Sequence, residues 1–102
     1  MAVFYSVLRE ELQRLKTLRA RYASQLAEIP AGSLVIKLKG GHRYAYRAYR
    51  KGNRVFTDYV GPEASPRARQ AVALLNKRRK ILKDIRAIEA DSARLQKMIN
   101  AK

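Results

Sequence analysis

The sequence predicts an α+β protein: a long antiparallel helical hairpin, similar to a coiled coil, with a three-stranded antiparallel β-meander inserted between its helices. Near both ends of the chain, apolar residues recur at alternating steps of four and three. Between these stretches the apolar period changes to two, and two glycine-containing turns divide the segment into three short runs. We expect one domain over residues 1–102, with a helix at 2–29, the sheet at 34–61 and a helix at 66–100.

The first helix is predicted from a heptad-like seam that Pro30 and Gly32 bring to an end. The seam consists of Leu8, Leu12, Leu15, Tyr22, Leu26 and Ile29. Arg19 is its one interruption, and the outer faces carry mostly polar residues and alanine. A seam of this kind indicates packing against a second helix.

The second helix has its own start signal, because Ser65 offers an N-cap oxygen and Pro66 occupies the first helical position. No Gly or Pro follows as far as Asn100. The seam of this helix consists of Leu74, Arg78, Ile81, Ile85, Ile88, Ser92, Leu95 and Ile99. Two seams of the same period on either side of a compact insert predict an antiparallel helical hairpin.

Further apolar residues gather at the open end of the predicted hairpin. There Val3, Phe4, Val7 and Leu8 would meet Leu95, Met98 and Ile99. Closing that end of the hairpin explains most of these residues. An extra apolar stripe on the second helix, formed by Leu75, Leu82 and Met98, leaves a homodimer or a larger assembly with host proteins open.

The middle segment predicts three strands joined by two-residue turns at Gly40-Gly41 and Gly52-Asn53. With turns of that length, Ile36 lies opposite Ala45, and Arg47 lies opposite Asp58 as a cross-strand ion pair. One sheet face, which we expect to be buried against the helices, then carries Leu34, Ile36, Leu38, Ala45, Tyr49, Phe56 and Val60. The other face, expected to lie in water, carries Lys37, Lys39, Tyr44, Tyr46, Arg50, Thr57 and Tyr59.

The charge of the chain points to a polyanionic partner. There are 23 Lys and Arg against 8 Asp and Glu, a formal net charge of +15 and a pI near 10.8. A polyanion relieves the self-repulsion that such an imbalance causes. Between Glu28 and Asp58 there is no acid at all, and cations alternate with tyrosines. Phosphates bind cations and bases can stack on aromatic rings, so this stretch predicts a nucleic-acid-binding protein.

The predicted contact residues form two groups, one on the sheet and one on the second helix. The sheet group is Lys37, Lys39, Arg43, Tyr44, Tyr46, Arg50, Lys51, Arg54 and Tyr59. The helix group is Lys77, Arg78, Arg79, Lys80 and Lys83. Two plain explanations compete with this prediction, because tyrosine favours strands and a run of cations often forms a solvated helix face. Contacts dominated by charge do not separate DNA from RNA.

Enzymatic chemistry, cofactors and metal ions find no support in the sequence. Cysteine is absent, and the single histidine, His42, sits in a turn without an evident partner. Asp58 and Glu63 could suggest a pair of metal-binding carboxylates, but Asp58 already has Arg47 as its predicted partner. A phosphate-binding glycine loop is also missing. We therefore expect a protein that is not an enzyme and uses no cofactor.

The N-terminal segment does not have the pattern of a secretory signal, because Arg9, Glu10 and Glu11 follow its short apolar start directly. No apolar run approaches the ~20 residues that a membrane span needs. We expect a cytoplasmic protein without a membrane partner, and association with the nucleoid stays open.

The segment from Gly32 to Gly61 resembles a small bacterial and phage domain family of unknown function. Members of that family begin with a GSLVIK-like stretch, continue with a Tyr-rich strand and end on Tyr-Ile/Val-Gly. The matching positions here are Gly32, Ser33, Leu34, Tyr44, Tyr46, Tyr49, Arg50, Gly52, Tyr59, Val60 and Gly61. The resemblance implies a phage or mobile-element setting and supplies no activity.

A looser resemblance connects the sheet with the three-stranded DNA-binding arms of tyrosine recombinases and some transposases. A basic, aromatic hairpin precedes a helix in those arms as well. The sequence contains no catalytic recombinase domain, so this resemblance implies DNA binding alone. The alternative function is docking on a host protein or ribonucleoprotein, such as a nuclease, whose activity the chain would inhibit or modulate.

Overall fold

The structure is a computed structural model that describes residues 2–101, with side chains from residue 4 onward, so that the side chain of Val3 lies outside the described residues. In chain order the elements are α1 (Ala2–Ala27), β1 (Ser33–Lys39), β2 (His42–Lys51), β3 (Arg54–Pro62) and α2 (Pro66–Asn100). This is the predicted α+β arrangement, with a β-meander between two helices. None of the described helices is long and apolar enough to span a membrane.

The chain divides into two compact units, and the first is helical. It contains Met1–Glu28 and Lys80–Lys102. The hydroxyl of Tyr5 donates a hydrogen bond to the carbonyl of Ala101 at 3.2 Å, and Arg19 lies 3.6 Å from Glu89. The two helices of this unit therefore run antiparallel, as the matching seams predict. The buried side chains are Leu8, Leu12, Leu15, Ile81, Ile85 and Ile88.

The first helix differs from the prediction at its C-terminal end, and the structure explains the interruption of its apolar seam. Helix α1 ends at Ala27, two residues earlier than expected, and Ile29 is buried beyond the helix end. Arg19 interrupts the apolar seam because it is an exposed residue paired with Glu89. Elsewhere on α1, hydrogen bonds from Arg14 lower the pKa of the Glu11 carboxyl below its ordinary value.

The open end of the helical hairpin is only partly closed. Phe4, Val7 and Met98 are 54%, 57% and 47% exposed, whereas Leu8 is buried and Leu95 half-buried. The prediction that all these side chains close the end is therefore wrong for Phe4, Val7 and Met98. Val7 and Met98 directly precede the seam residues Leu8 and Ile99, and the ~100° rotation per residue turns their side chains away from the seam.

The second unit, Ile29–Arg79, contains the three-stranded sheet and the first part of α2. The strand order is β1-β2-β3, and both pairings are antiparallel. Ile36 pairs with Ala45 and Arg47 pairs with Asp58, which confirms the predicted register. Both two-residue turns are confirmed too, and Gly40 has a φ of 58° that a side chain adopts at a cost.

One irregularity in β3 was not predicted. The pairing shifts between Ala45, which faces Gly61, and Tyr46, which faces Tyr59, so Val60 is the extra residue of a β-bulge. Just beyond the bulge, β3 passes close to the start of α2, since a Cβ built on Gly61 would lie 2.9 Å from the Ser65 hydroxyl oxygen.

The start of α2 follows the predicted capping pattern. The Ser65 hydroxyl oxygen accepts a hydrogen bond from the Ala68 N–H at 3.3 Å, and the hydroxyl donates to the Pro62 carbonyl at 2.6 Å. Such a cap satisfies one N–H at the helix start that has no partner within the helix. It also ties the end of β3 to α2 within the sheet unit.

The most deeply buried side chains of the sheet unit are small ones, and Ile29 is buried as well. Ala45 is 0% and Ala68 1% exposed, and Ala71, Leu75 and Arg78 of α2 are half-buried. The predicted seam position Leu74 is instead 46% exposed, so that assignment is wrong. The inward-facing stripe of α2 contains Leu75 instead, because Leu75 lies on the same side of the helix as Ala68 and Ala71.

The buried face of the sheet is smaller than predicted. Leu34 and Ile36 are half-buried, but Leu38 is 69% and Phe56 38% exposed. These two residues lie near the two turns, at the ends of the sheet, whereas the core is centred on Ala45. The prediction of burial is therefore wrong for Leu38 and, in large part, for Phe56.

We predict that Gly32→Ala destabilises the protein strongly. A Cβ at Gly32 would lie 2.5 Å from the carbonyl oxygen of Ala48, and the φ of 130° is unfavourable for any side chain. The clash and the strained backbone together should cost at least about 2 kcal/mol of unfolding free energy.

Urea unfolding measures this cost directly, and Gly40→Asn is the matched control. Gly40 has open space around its Cβ position, and Asn tolerates a φ near 58°. The control should stay within about 1 kcal/mol of the natural sequence. Equal stability of the two variants would contradict the close approach of Gly32 to β2.

Candidate nucleic-acid interface

The register of the sheet places six of the predicted contact residues on one face. Strand residues alternate between the two faces, and directly paired residues share a face. Lys37 pairs with Tyr44, and Tyr46 pairs with Tyr59. We call the resulting surface the tyrosine-lysine face, formed by Lys37, Lys39, Tyr44, Tyr46, Arg50 and Tyr59.

Three tyrosines form a connected cluster on this face. The ring centroid of Tyr59 lies 5.4 Å from that of Tyr46 and 6.2 Å from that of Tyr44, with ring planes inclined by 61° and 56°. Inclined contacts of this kind are favourable because a positive ring edge meets a negative ring face. Tyr59 is 56% exposed and the other two rings are half-buried, so Tyr59 offers the most open surface of the three.

Two lysines from β1 lie against the central ring. The Lys37 ammonium is 4.7 Å and the Lys39 ammonium 5.5 Å from the ring centroid of Tyr46. Lys39 also donates a hydrogen bond to the Tyr46 hydroxyl oxygen at 3.3 Å. Cation–π contacts stabilise exposed pairs by roughly 0.5–1 kcal/mol each. The ring thus holds two positive charges close together at the surface.

Both acids of the sheet unit are bound to arginines. Residues 29–79 contain twelve Lys and Arg but only Asp58 and Glu63 as acids. Asp58 accepts a hydrogen bond from Arg47 at 3.2 Å, and Glu63 accepts one from Arg43 at 3.0 Å. Asp58, by its pairing with Arg47, lies on the face opposite to the tyrosine-lysine face. The positive charge of Lys37 and Lys39 is therefore not neutralised on their own face.

Three predicted contact residues lie on the opposite face. Arg43 pairs with Leu38 and forms the ion pair with Glu63. Lys51 and Arg54 pair with each other at the tip of the β2–β3 hairpin, where both are exposed. The structure therefore does not bring these three side chains together with the tyrosine cluster.

The helix group is not a single stripe. Lys77 and Arg79 are exposed in the sheet unit, and Lys80 and Lys83 are exposed in the helical unit. Arg78 differs, because it is half-buried and its Nε is buried without a hydrogen-bond partner among the described residues. Its stem contributes to the inward side of α2, as its seam position indicates.

Two features of the sheet surface were missed in the choice of contact residues. Val35, which pairs with Tyr46, is 36% exposed beside the tyrosine cluster. On the opposite face, Tyr49 and Phe56 form a nearly parallel ring pair with centroids 5.7 Å apart. The predicted register already makes Val35 the cross-strand neighbour of Tyr46, and Phe56 that of Tyr49, so both features could have been found from the sequence.

His42, the single histidine of the sequence, lies at the start of β2, next to the β1–β2 turn. His42 is exposed, 6.4 Å from the ring of Tyr44, and lines an open cavity of about 360 Å³ together with Arg43 and Glu63. Within the part of the chain that the structure describes, no three His, Cys, Asp or Glu side chains are grouped so as to hold a metal ion.

Comparison with known protein families places the chain in a family. A family model described as a domain of unknown function matches residues 7–70. That range includes most of α1, the whole sheet and the start of α2. No curated protein and no solved structure matches the chain. The expected resemblance to a family of unknown function is confirmed at that level.

We predict that Tyr46 and Tyr59 stabilise each other across the sheet. A double-mutant cycle with Tyr46→Ala and Tyr59→Ala should give a coupling of about 0.5–1.5 kcal/mol in urea unfolding, as expected for an edge-to-face pair. Tyr46→Ala combined with Leu38→Ala, on the opposite face, should be additive within about 0.5 kcal/mol. Equal coupling in both cycles would mean that the tyrosine contact is not specific.

Proposed function

We propose a nucleic-acid-binding function without enzymatic activity for this chain, which belongs to the DUF6788 family, a domain of unknown function. The observation that supports it best is the tyrosine-lysine face: two ammonium groups lie within 5.5 Å of one tyrosine ring centroid, on a sheet face without an acid. Cations and aromatic rings on one exposed sheet surface are the combination that binds a charged backbone carrying flat bases.

Binding through this face would begin with phosphate contacts. Lys37 and Lys39 are two residues apart on β1, and Arg50 extends the positive charge toward the β2–β3 turn. Tyrosine hydroxyls add hydrogen-bond donors for phosphate or sugar oxygens. The exposed ring of Tyr59 offers a surface to a base or sugar, whereas the Tyr46 ring is occupied by the lysines. This arrangement favours contacts to the backbone over reading of a base sequence.

The charge around the face adds a long-range attraction. Once Asp58 and Glu63 are paired, ten of the twelve cations in residues 29–79 have no acidic partner in the described part of the sheet unit. A surface of this kind accelerates association with polyanions and makes affinity strongly dependent on salt. Exposed Lys77 and Arg79 on α2 belong to this positive field as well.

The phage or mobile-element setting is part of the proposal and is supported by the sequence resemblance alone. The likeness to recombinase arms, which favours DNA as the ligand, is likewise supported by the sequence resemblance alone. Docking on a host protein or ribonucleoprotein is the alternative, in which the basic surface would meet acidic side chains or a guide RNA. The two functions differ in their affinity for bare nucleic acid.

We predict that binding to duplex DNA weakens steeply with salt and that Lys37 and Lys39 account for part of this dependence. Each neutralised phosphate contributes a slope of about 0.9 in a plot of log affinity against log salt. The double variant Lys37→Gln/Lys39→Gln should therefore lower the slope by about 1.8. Fluorescence anisotropy between about 50 and 200 mM salt measures it for duplex, single-stranded DNA and structured RNA.

Lys16→Gln/Lys97→Gln is the matched control, because it removes the same charge from exposed positions of the helical unit. Its slope should equal that of the natural sequence. Equal slopes for both double variants would show that the tyrosine-lysine face does not bind phosphates. No binding to any of the three ligands at low salt would contradict the nucleic-acid proposal and favour an acidic protein partner.

A further inference from the structure

The hairpin between β2 and β3 carries a second aromatic surface, on the face opposite to the tyrosine-lysine face. Tyr49 and Phe56 are direct cross-strand partners with ring centroids 5.7 Å apart and planes only 21° apart. The other close aromatic pairs of the described residues are inclined by 56–70°. The two rings of this pair are therefore nearly parallel, whereas the rings of the tyrosine cluster are inclined to one another.

Within this pair, the ring of Tyr49 is held in place by a contact with Arg47 of the same strand. The Arg47 guanidinium carbon lies 4.0 Å from the Tyr49 ring centroid. Arg47 is itself held by hydrogen bonds to the Ala31 carbonyl at 2.6 Å and to Asp58 at 3.2 Å. Tyr49 is half-buried, whereas Phe56 is 38% exposed. The Arg47 guanidinium, the Tyr49 ring and the Phe56 ring thus form a series of planar groups, and Phe56 is its exposed outer member.

Two cations lie next to the exposed ring. Lys51 and Arg54 pair with each other one step nearer the turn on the same face, ~7 Å along the strands from Tyr49 and Phe56. Both are exposed, and neither has an acidic partner in the described part of the chain. The nearest acid along β3, Asp58, is occupied by Arg47.

We infer that this hairpin tip, formed by Tyr49, Phe56, Lys51 and Arg54, binds one unpaired base together with its flanking phosphates. The base would stack on Phe56, and the phosphates would bind Lys51 and Arg54. A base inside a duplex is already stacked on both sides, so its face is not accessible. The ligand is therefore a base in a bulge, a loop or a single strand of DNA or RNA.

This inference shares with the proposed function the premise that the partner is nucleic acid, but it concerns the other face of the sheet. A purely structural role for the pair is the competing explanation, because cross-strand aromatic residues stabilise hairpins. That role needs apolar contact between the strands. It requires neither a flat exposed ring nor the two cations, so the two explanations predict different results for selected variants.

The test uses the full chain and two hairpin oligonucleotides, one with a single bulged 2-aminopurine and one fully paired, each made as DNA and as RNA. We expect the protein to quench the bulged fluorophore and to bind the bulged probe at least about fivefold more tightly, since stacking on an aromatic residue is worth ~1–3 kcal/mol. The nucleic acid, DNA or RNA, for which the affinity ratio of bulged to paired probe is larger is identified as the ligand.

Variants at the tip separate stacking from packing. Phe56→Leu keeps an apolar side chain but should abolish both quenching and preference, whereas Phe56→Tyr should retain them. Lys51→Gln/Arg54→Gln should weaken binding of the bulged probe more than binding of the paired probe. Leu38→Ala is the matched control, since Leu38 is an exposed apolar residue of the same face near the other turn, and it should change neither property.

The outcomes distinguish this site from the tyrosine-lysine face. Lys37→Gln/Lys39→Gln should weaken both probes by the same factor and leave their ratio unchanged. If that variant binds like the natural sequence while Phe56→Leu loses the preference, the hairpin-tip site stands and the proposed interface fails. Retained quenching in Phe56→Leu, or no preference in the natural sequence, overturns the hairpin-tip site. If Phe56→Leu does not fold, the ratio measured with Lys51→Gln/Arg54→Gln decides.

Discussion

The register of β2 against its two neighbours is the constraint on which the sheet unit depends. Arg47 stabilises this register, because its guanidinium donates hydrogen bonds to the Ala31 carbonyl before β1 and to Asp58 on β3. Ala45 of β2 is thereby placed in the core, where it is fully buried, and Arg43 and Arg47 are placed in ion pairs on the same face. Even-numbered side chains, such as Tyr46, are left for the other face. A slip by one residue would exchange the two sets and destroy both surfaces.

Separation of charge between the two faces is what gives the sheet its proposed function. Arg43 and Arg47 bind the only acids of the unit, and Lys37 and Lys39 are left on the face that has none. The tyrosines serve as support for the ammonium groups and as contact surface of their own. The excess positive charge costs stability through self-repulsion, and a bound polyanion would remove that cost. In the proposed function, this excess of positive charge on the sheet unit would favour a partner that carries many negative charges.

Much of this arrangement follows from the sequence because its determinants are local. Turn lengths at Gly40-Gly41 and Gly52-Asn53 fix the register, and Ser65-Pro66 marks the start of α2. The parts that could not be predicted depend on contacts between elements. Leu74 and Leu75 fit the helical spacing equally well, and only the packing of the alanine-rich side of α2 selects the second.

The same limit applies to the candidate sites. The bulge at Val60 accompanies the close approach of β3 to Ser65. Gly61 is typical of a bulge or a close approach, but which element lies beside it depends on how β3 and α2 pack. The most direct measurement is an NMR titration of the isotope-labelled chain with duplex and bulged nucleic acid, followed through backbone amides and the side chains of Lys37 and Tyr59. Perturbations concentrated on the tyrosine-lysine face are the predicted result. Perturbations confined to the helical unit, or none at low salt, would contradict a nucleic-acid interface on this sheet.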